Sequence, residues 1–194
     1  MKKLLISASL AASIVLPSAA QAQAIPPAIV AVVDLERVTA DCTACKTATA
    51  ALRAQVQAYQ TRESSLAGPL QSEQQSLQTA VNALNGKEPD AALKARINAF
   101  QTKQQNGGQE LQRQQDQIKR NQQYVQKQIA DKLGPIYSQV MQRRGANVMV
   151  EQGTTLATAG SLDVTNDVLT ALNAALPSVQ TTAPAAPANT QQGR

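Results

Sequence analysis

The chain has 194 residues, a formal net charge of +5 and no histidine or tryptophan, and aromatic residues make up 2% of it. The missing histidine removes the commonest general base, and the aromatic shortage leaves few rings on which nucleic-acid bases could stack. One Phe and three Tyr are too little bulky apolar material for a conventional globule of this length, so a small core with elongated polar helices is expected.

At the N-terminus, Lys2-Lys3 precedes an apolar and small stretch from Leu4 to Leu16, then Pro17 and the small-x-small site Ala20-Gln21-Ala22. Residues 1–22 read as a signal peptide cleaved near Ala22, which directs the product to the periplasm. The apolar stretch is 13 residues long, short of the roughly 20 that a membrane-spanning helix requires. Residues 23–40 follow as a body strand and helix entry: Ala28 to Val33 is a nearly continuous β-branched run, ended by Asp34.

Residues 41–144 read as a helical-hairpin arm, with Asp41 capping a first helix that runs to Leu84 and a second running from Asp90 to Arg144. In the first, Leu52, Tyr59, Leu66, Glu73 and Ala80 form one seven-residue series and Val56, Glu63, Leu70, Leu77 and Leu84 another. Eight of those ten positions are apolar, a coiled-coil seam. The second helix has a weaker seam: Leu93, Phe100, Gly107, Gln114 and Asn121 run beside Ile97, Gln104, Leu111, Ile118 and Val125. Its register then shifts to Ile129, Leu133, Ile136 and Val140 where it rejoins the body. Gly107-Gly108 and Gly134-Pro135 are expected soft points, and Asn85 to Pro89 allows only a tight antiparallel reversal.

Residues 145–176 supply the body's closing elements. Asn147–Glu151 and Thr154–Ala157 read as two short strands split by Gly153, and Thr165 as the cap of a final helix that Pro177 ends. Residues 177–194 read as a disordered Pro/Ala-rich tail. Strands this short cannot bury themselves, so the expected fold is α+β, a small β body shared between chains with a long antiparallel helical-hairpin coiled-coil arm.

The sharpest chemical motif is Cys42-Thr43-Ala44-Cys45, which holds both cysteines of the chain and makes Cys42 and Cys45 a candidate disulfide. A thiolate is stabilised at a helix N-terminus, so a redox pair is one reading. A structural or silent pair is the other, favoured because no alternating strand-helix pattern surrounds the motif. With no second cysteine pair, a closed four-ligand zinc site within one chain would need carboxylates. No G-x-S-x-G and no Gly-rich phosphate loop is present, so no catalytic residue, cofactor site or metal site is assigned.

Two end segments carry a resemblance. Ile29-Val30-Ala31-Val32-Val33-Asp34-Leu35-Glu36-Arg37-Val38 resembles the opening strand and helix entry of the Skp/OmpH family of periplasmic chaperones. Gly145 to Glu151, Leu156-Ala157 and Leu162 to Leu169 are similar to that family's closing strands and its Asp-[Val/Ile]-Thr-x-Asp-Val-[Leu/Ile] helix start. The arms agree with it only in character.

The resemblance implies a homotrimer in which three hairpins enclose a cavity for unfolded outer-membrane β-barrel proteins, working without ATP as a holdase that prevents aggregation. Charge is compatible with this. The second helix, Asp90 to Arg144, holds ten Lys or Arg against four acids, a net of +6, and Lys94, Arg96, Lys103, Arg113, Lys119, Arg120 and Lys127 form the candidate client-facing basic arm. Each of these residues taken singly reads as part of a solvated face; the summed sign is what would attract acidic clients, and anionic lipid or lipopolysaccharide as well. Nucleic acid is not an expected partner. The alternatives are a periplasmic thiol-disulfide oxidoreductase using Cys42 and Cys45, and a structural coiled-coil adaptor of an envelope complex.

Overall fold

The computed structural model describes residues 26–184, so the expected signal peptide and the last ten residues of the expected tail lie outside the described residues. Strand β1 (Val30–Val33) buries three of its four residues. Asp34 follows, and its Oδ1 accepts the Arg37 N–H at 2.8 Å, which caps helix α1 (Leu35–Asp41).

The long first helix starts later than the sequence implied. Asp41 is the last residue of α1; Cys42 leaves the helical region at φ −56° and ψ 124°, and α2 (Thr43–Asn82) begins after it. Cys42 rather than Asp41 therefore occupies the cap position, its Sγ accepting the Cys45 N–H at 3.2 Å. The Asp41 carboxylate turns instead to Lys46, 3.2 Å away. The adjoining Thr43 N–H is satisfied by Asn173 Oδ1 at 2.9 Å, so the last helix of the body caps the root of the arm.

Helix α3 (Ala91–Arg144) returns antiparallel to α2, with Asp90 capping its first turn through Leu93 N–H at 2.8 Å. The reversal between them needs left-handed backbone at Asn85 (φ 49°) and Gly86 (φ 85°), conformations that Asn and Gly tolerate best. Gly145 (φ 67°) closes the far end of α3 in the same way. At about 1.5 Å per residue, the 54 residues of α3 span about 80 Å. Pro69 lies inside α2, and Gly107-Gly108 and Gly134-Pro135 inside α3, without interrupting either helix.

Strand β2 (Val148–Glu151) pairs in parallel with β1, Val30 opposite Val148 through Val33 opposite Glu151. Parallel strands need a crossover, and here the whole hairpin supplies it. On the other side of β1, Val32 bridges Asp163 and its carbonyl accepts Val164 N–H at 2.8 Å. The expected strand at Thr154–Ala157 does not form. The Thr154 and Thr155 hydroxyls donate to the Glu151 and Gln152 carbonyls at 2.8 Å each, turning residues 152–154 into a 3-10 turn. Leu156 then stands fully exposed.

Helix α4 (Thr165–Ala175) begins one residue before its expected first turn. Val164 holds the cap position with no side-chain bond, while Asp163 Oδ1 accepts Thr165 N–H at 2.8 Å. The body core joins Ala31 and Val33 of β1 to Val38, Cys42, Cys45, Val140, Val168 and Leu172. A second cluster lies far out on the arm, where Leu77, Leu93 and Phe100 are buried together.

The expected disordered tail departs from expectation over its first part. Residues 178–184 run back along the hairpin: Val179 packs on the body core, and arm carboxamides bond the backbone of Gln180, Thr181 and Ala183. Composition misses this because, apart from Val179, the segment's partners are polar side chains on other elements.

Candidate functional site

The chemistry-bearing surface is the hairpin itself. Of the ten seam positions read from the first arm only Glu63 is exposed, and of the ten in the second only Gln104. Heptad spacing thus located the interface of α2 and α3. The following series also turns inward, with Leu133, Ile136 and Val140 buried in the body.

Apolar burial along that seam is uneven. Between Phe100 and Val125 the buried seam positions are Gly107 and Asn121, and a Cβ built on Gly107 would sit 3.7 Å from Leu66 Cδ1. Polar rungs hold the helices together over this stretch. Arg62 donates from Nε and Nη2 to the two carboxylate oxygens of Glu110 at 2.7 and 2.9 Å. That fork holds the Glu110 carboxyl below its ordinary range and raises the Arg62 guanidinium further. Lys103 meets Glu73 at 2.7 Å, and Arg96 donates to Ser76 at 3.1 Å.

A buried carboxamide network lies nearer the body. Asn121, 4% exposed, donates to Gln55 Oε1 at 2.8 Å and accepts from Gln117 Nε2 at 2.7 Å. The sequence marked Asn121 only as a weak seam position; Gln55, Gln117 and Gln128 carried no signal that separated them from the arm's other glutamines.

The basic residues are scattered along α3 rather than gathered. Lys94, Lys103 and Lys127 form ion pairs with Glu88, Glu73 and Asp131. Arg96 reaches Ser76, and half-buried Arg120 donates to the Gln117 side chain. Arg113 and Lys119 are exposed and form no ion pair among the described residues. Surface pairs of this kind contribute little stability and leave the summed charge of the helix unchanged.

Cys42 and Cys45 are joined as a disulfide with their Cα atoms 5.1 Å apart. They are 0% and 3% exposed within the body core, whereas reactive cysteine pairs sit where solvent reaches them. Among the described residues no group of three or more Cys, Asp or Glu is placed to hold a metal ion. No helix among them is long and apolar enough to cross a membrane.

Open grooves flank the arm root. One of about 790 Å³ lies against Leu52, Val125, Ile129 and Leu133, and another of about 580 Å³ runs from Asn121 past Tyr59 to the Arg62–Glu110 pair. Three large apolar side chains are exposed on the body: Ile29, Val148 and Leu156.

Among solved structures, the chain is similar to an OmpH-like protein of Caulobacter crescentus CB15, described as a candidate outer-membrane chaperone. The superposition gives a TM-score of 0.64 at 19% identity and covers 80% of this chain and 90% of the other, a likeness of fold. No curated protein is similar enough to match. The family model described as outer membrane protein (OmpH-like) matches residues 29–172, from the start of β1 to the middle of α4 and across the whole hairpin, and the chain belongs to that family.

Proposed function

We propose that this protein is an ATP-independent holdase chaperone of the periplasm, which binds unfolded outer-membrane β-barrel proteins between helical arms and prevents their aggregation. The observation that carries the reading is the mismatch between arm and body. A hairpin of at most about 60 Å, the length of α2, polar over most of its surface, projects from a core built on a two-stranded sheet. Such an arm adds little to its own body's stability and much reach. Membership of the OmpH-like family, and a structural relative described as a candidate outer-membrane chaperone, support the same role.

Caging needs more than one arm. The two-stranded sheet is too small to stand alone, and Ile29, Val148 and Leu156 remain exposed on the body, which favours a homotrimer that shares one β body. Many weak contacts would then hold a client without a defined pocket, and the reading assigns no catalytic residue. The basic second helix would draw in acidic clients and, by the same field, anionic lipid or lipopolysaccharide.

The test dilutes a urea-unfolded outer-membrane β-barrel protein into ATP-free buffer with and without the mature protein, following turbidity while sizing the soluble complex. Suppressed turbidity and a complex of one client with about one trimer are expected by analogy with multivalent capture. Undiminished aggregation overturns the reading. The oxidoreductase alternative is tested separately by assaying the unaltered chain for thiol-disulfide exchange, where activity lost in a folded Cys42→Ser/Cys45→Ser variant would restore it.

A further inference from the structure

Residues 178–184 form a strap that the arm holds through main-chain contacts. Gln128 donates from Nε2 to the Gln180 carbonyl at 2.8 Å and accepts the Gln180 N–H on Oε1 at 3.0 Å, satisfying both groups of one residue with one carboxamide. Gln55 donates to the Thr181 carbonyl at 3.0 Å, and Asn121 accepts the Ala183 N–H at 2.8 Å. None of these bonds involves a strap side chain.

The contacts also fix the strap's shape. Gln128 and Asn121 lie seven residues apart on α3, about 10 Å of helix, and hold Gln180 and Ala183 respectively. The strap bends at Thr182 between those two contacts, so it lies in the groove as an irregular segment and not as a straight strand. The groove therefore receives a non-helical, non-strand segment and reads its N–H and C=O groups with side-chain amides. It also continues beyond its occupant: the 580 Å³ groove passes Thr182 and runs along Tyr59, Gln114 and Ile118.

We propose that Gln55, Asn121 and Gln128 form a main-chain-reading site for irregular segments of unfolded polypeptide, and that the strap occupies this site as an internal competitor. The identity of the displacing chain rests on the chaperone reading; the site and its occupancy do not. A competitor held by a few neutral hydrogen bonds is weak enough for a long client segment to displace and keeps the carboxamides satisfied when no client is present.

The experiment uses the full mature chain carrying Gln180→Pro and Ala183→Pro, which removes the two strap N–H donors and leaves the groove intact. The probe is a labelled peptide of the sequence Ser178–Pro184. It is expected to bind the released variant about tenfold more tightly than the unaltered chain, the gain that freeing an occupied site through two lost hydrogen bonds would give. An unrelated peptide of small residues is expected to bind comparably. The strap peptide with proline at the positions of Gln180 and Ala183 is expected not to bind. Adding Gln128→Ala, at a half-buried position, is expected to weaken the peptide again.

Equal binding to released and unaltered chains, or full binding by the proline peptide, overturns the proposal. Urea-unfolded β-barrel protein is titrated in parallel. Peptide binding that follows the expected order while no client binds leaves the site standing and removes the chaperone reading instead.

Discussion

The Asp34 amide donates to Thr165 Oγ1 at 2.9 Å, joining the end of β1 to the start of α4 across 131 residues of sequence. Thr165 is 0% exposed, and its hydroxyl also supports the Asp163 carboxylate. The small body is thus closed by one buried hydroxyl that accepts the Asp34 N–H. Replacement by valine keeps the shape and leaves the Asp34 N–H without its partner. We expect Thr165→Val to cost about 1–3 kcal/mol, and Thr165→Ser much less, in urea unfolding followed by circular dichroism. Equal midpoints for all three proteins would show that water replaces the bond at no cost.

The same residue sets a pH dependence. Thr165, first through its hydroxyl and then through its amide, holds the Asp163 carboxyl below its ordinary value of 3.8, with nearby Arg37 acting in the same direction. A carboxyl depressed in the folded state stabilises at pH values above its unfolded pKa, and that contribution is lost as pH falls through the lower folded value. Asp163→Ala should therefore be less stable than the unaltered chain at pH 7. The gap should close as pH falls below the ordinary carboxylate range. A gap independent of pH would assign the effect to packing.

Gly107 and Gly108 sit within continuous helix where neither needs a left-handed backbone. A Cβ at Gly107 would meet Leu66 at ordinary contact distance, 3.7 Å, and one at Gly108 would meet nothing within 4 Å. Alanine fits at both, so each substitution should stabilise the arm by about 1 kcal/mol through helix propensity alone. In the unaltered chain, amides from Gln101 to Asn121 should exchange faster than those packed around Leu77, Leu93 and Phe100, since apolar burial is sparse there. The double Ala variant should slow that exchange. Uniformly slow exchange in the unaltered arm would contradict the account.

The parts legible in the sequence were those that periodicity or punctuation governs. Heptad spacing found the seam, because one narrow stripe is all that two polar helices can bury, and the Asn85-Gly86 reversal announced itself by residue type. Three other features depended on partners remote in sequence. Thr165 reads as a helix cap until Asp34 claims its hydroxyl, and Thr154–Ala157 reads as a strand until its own hydroxyls turn the chain. The strap was hidden for a sharper reason. A Pro/Ala/Thr/Gln segment has no apolar drive to fold, and only the placement of Gln55, Asn121 and Gln128 on two facing helices gives its backbone somewhere to bond.

Charge offers the last prediction, because it separates field from contact. Lys94, Lys103 and Lys127 are tied to acids, so reversing them would break ion pairs as well as change the net charge. Arg113 and Lys119 are exposed and without ion pairs among the described residues, so Arg113→Glu with Lys119→Glu breaks no ion pair, and the Arg113 change also places a carboxylate near Glu110. Each substitution removes two charge units, taking the second helix from +6 to +2. If the arm steers acidic unfolded clients, the variant's association rate should fall several-fold in low salt while its dissociation rate stays unchanged. The difference should shrink as ionic strength rises to about 0.15 M, where the screening length is about 8 Å, and vanish near 1 M. Association that ignores both salt and substitution would mean that clients are held by the arm's amide and apolar surface alone, and that the basic residues serve only to keep a glutamine-rich helix solvated.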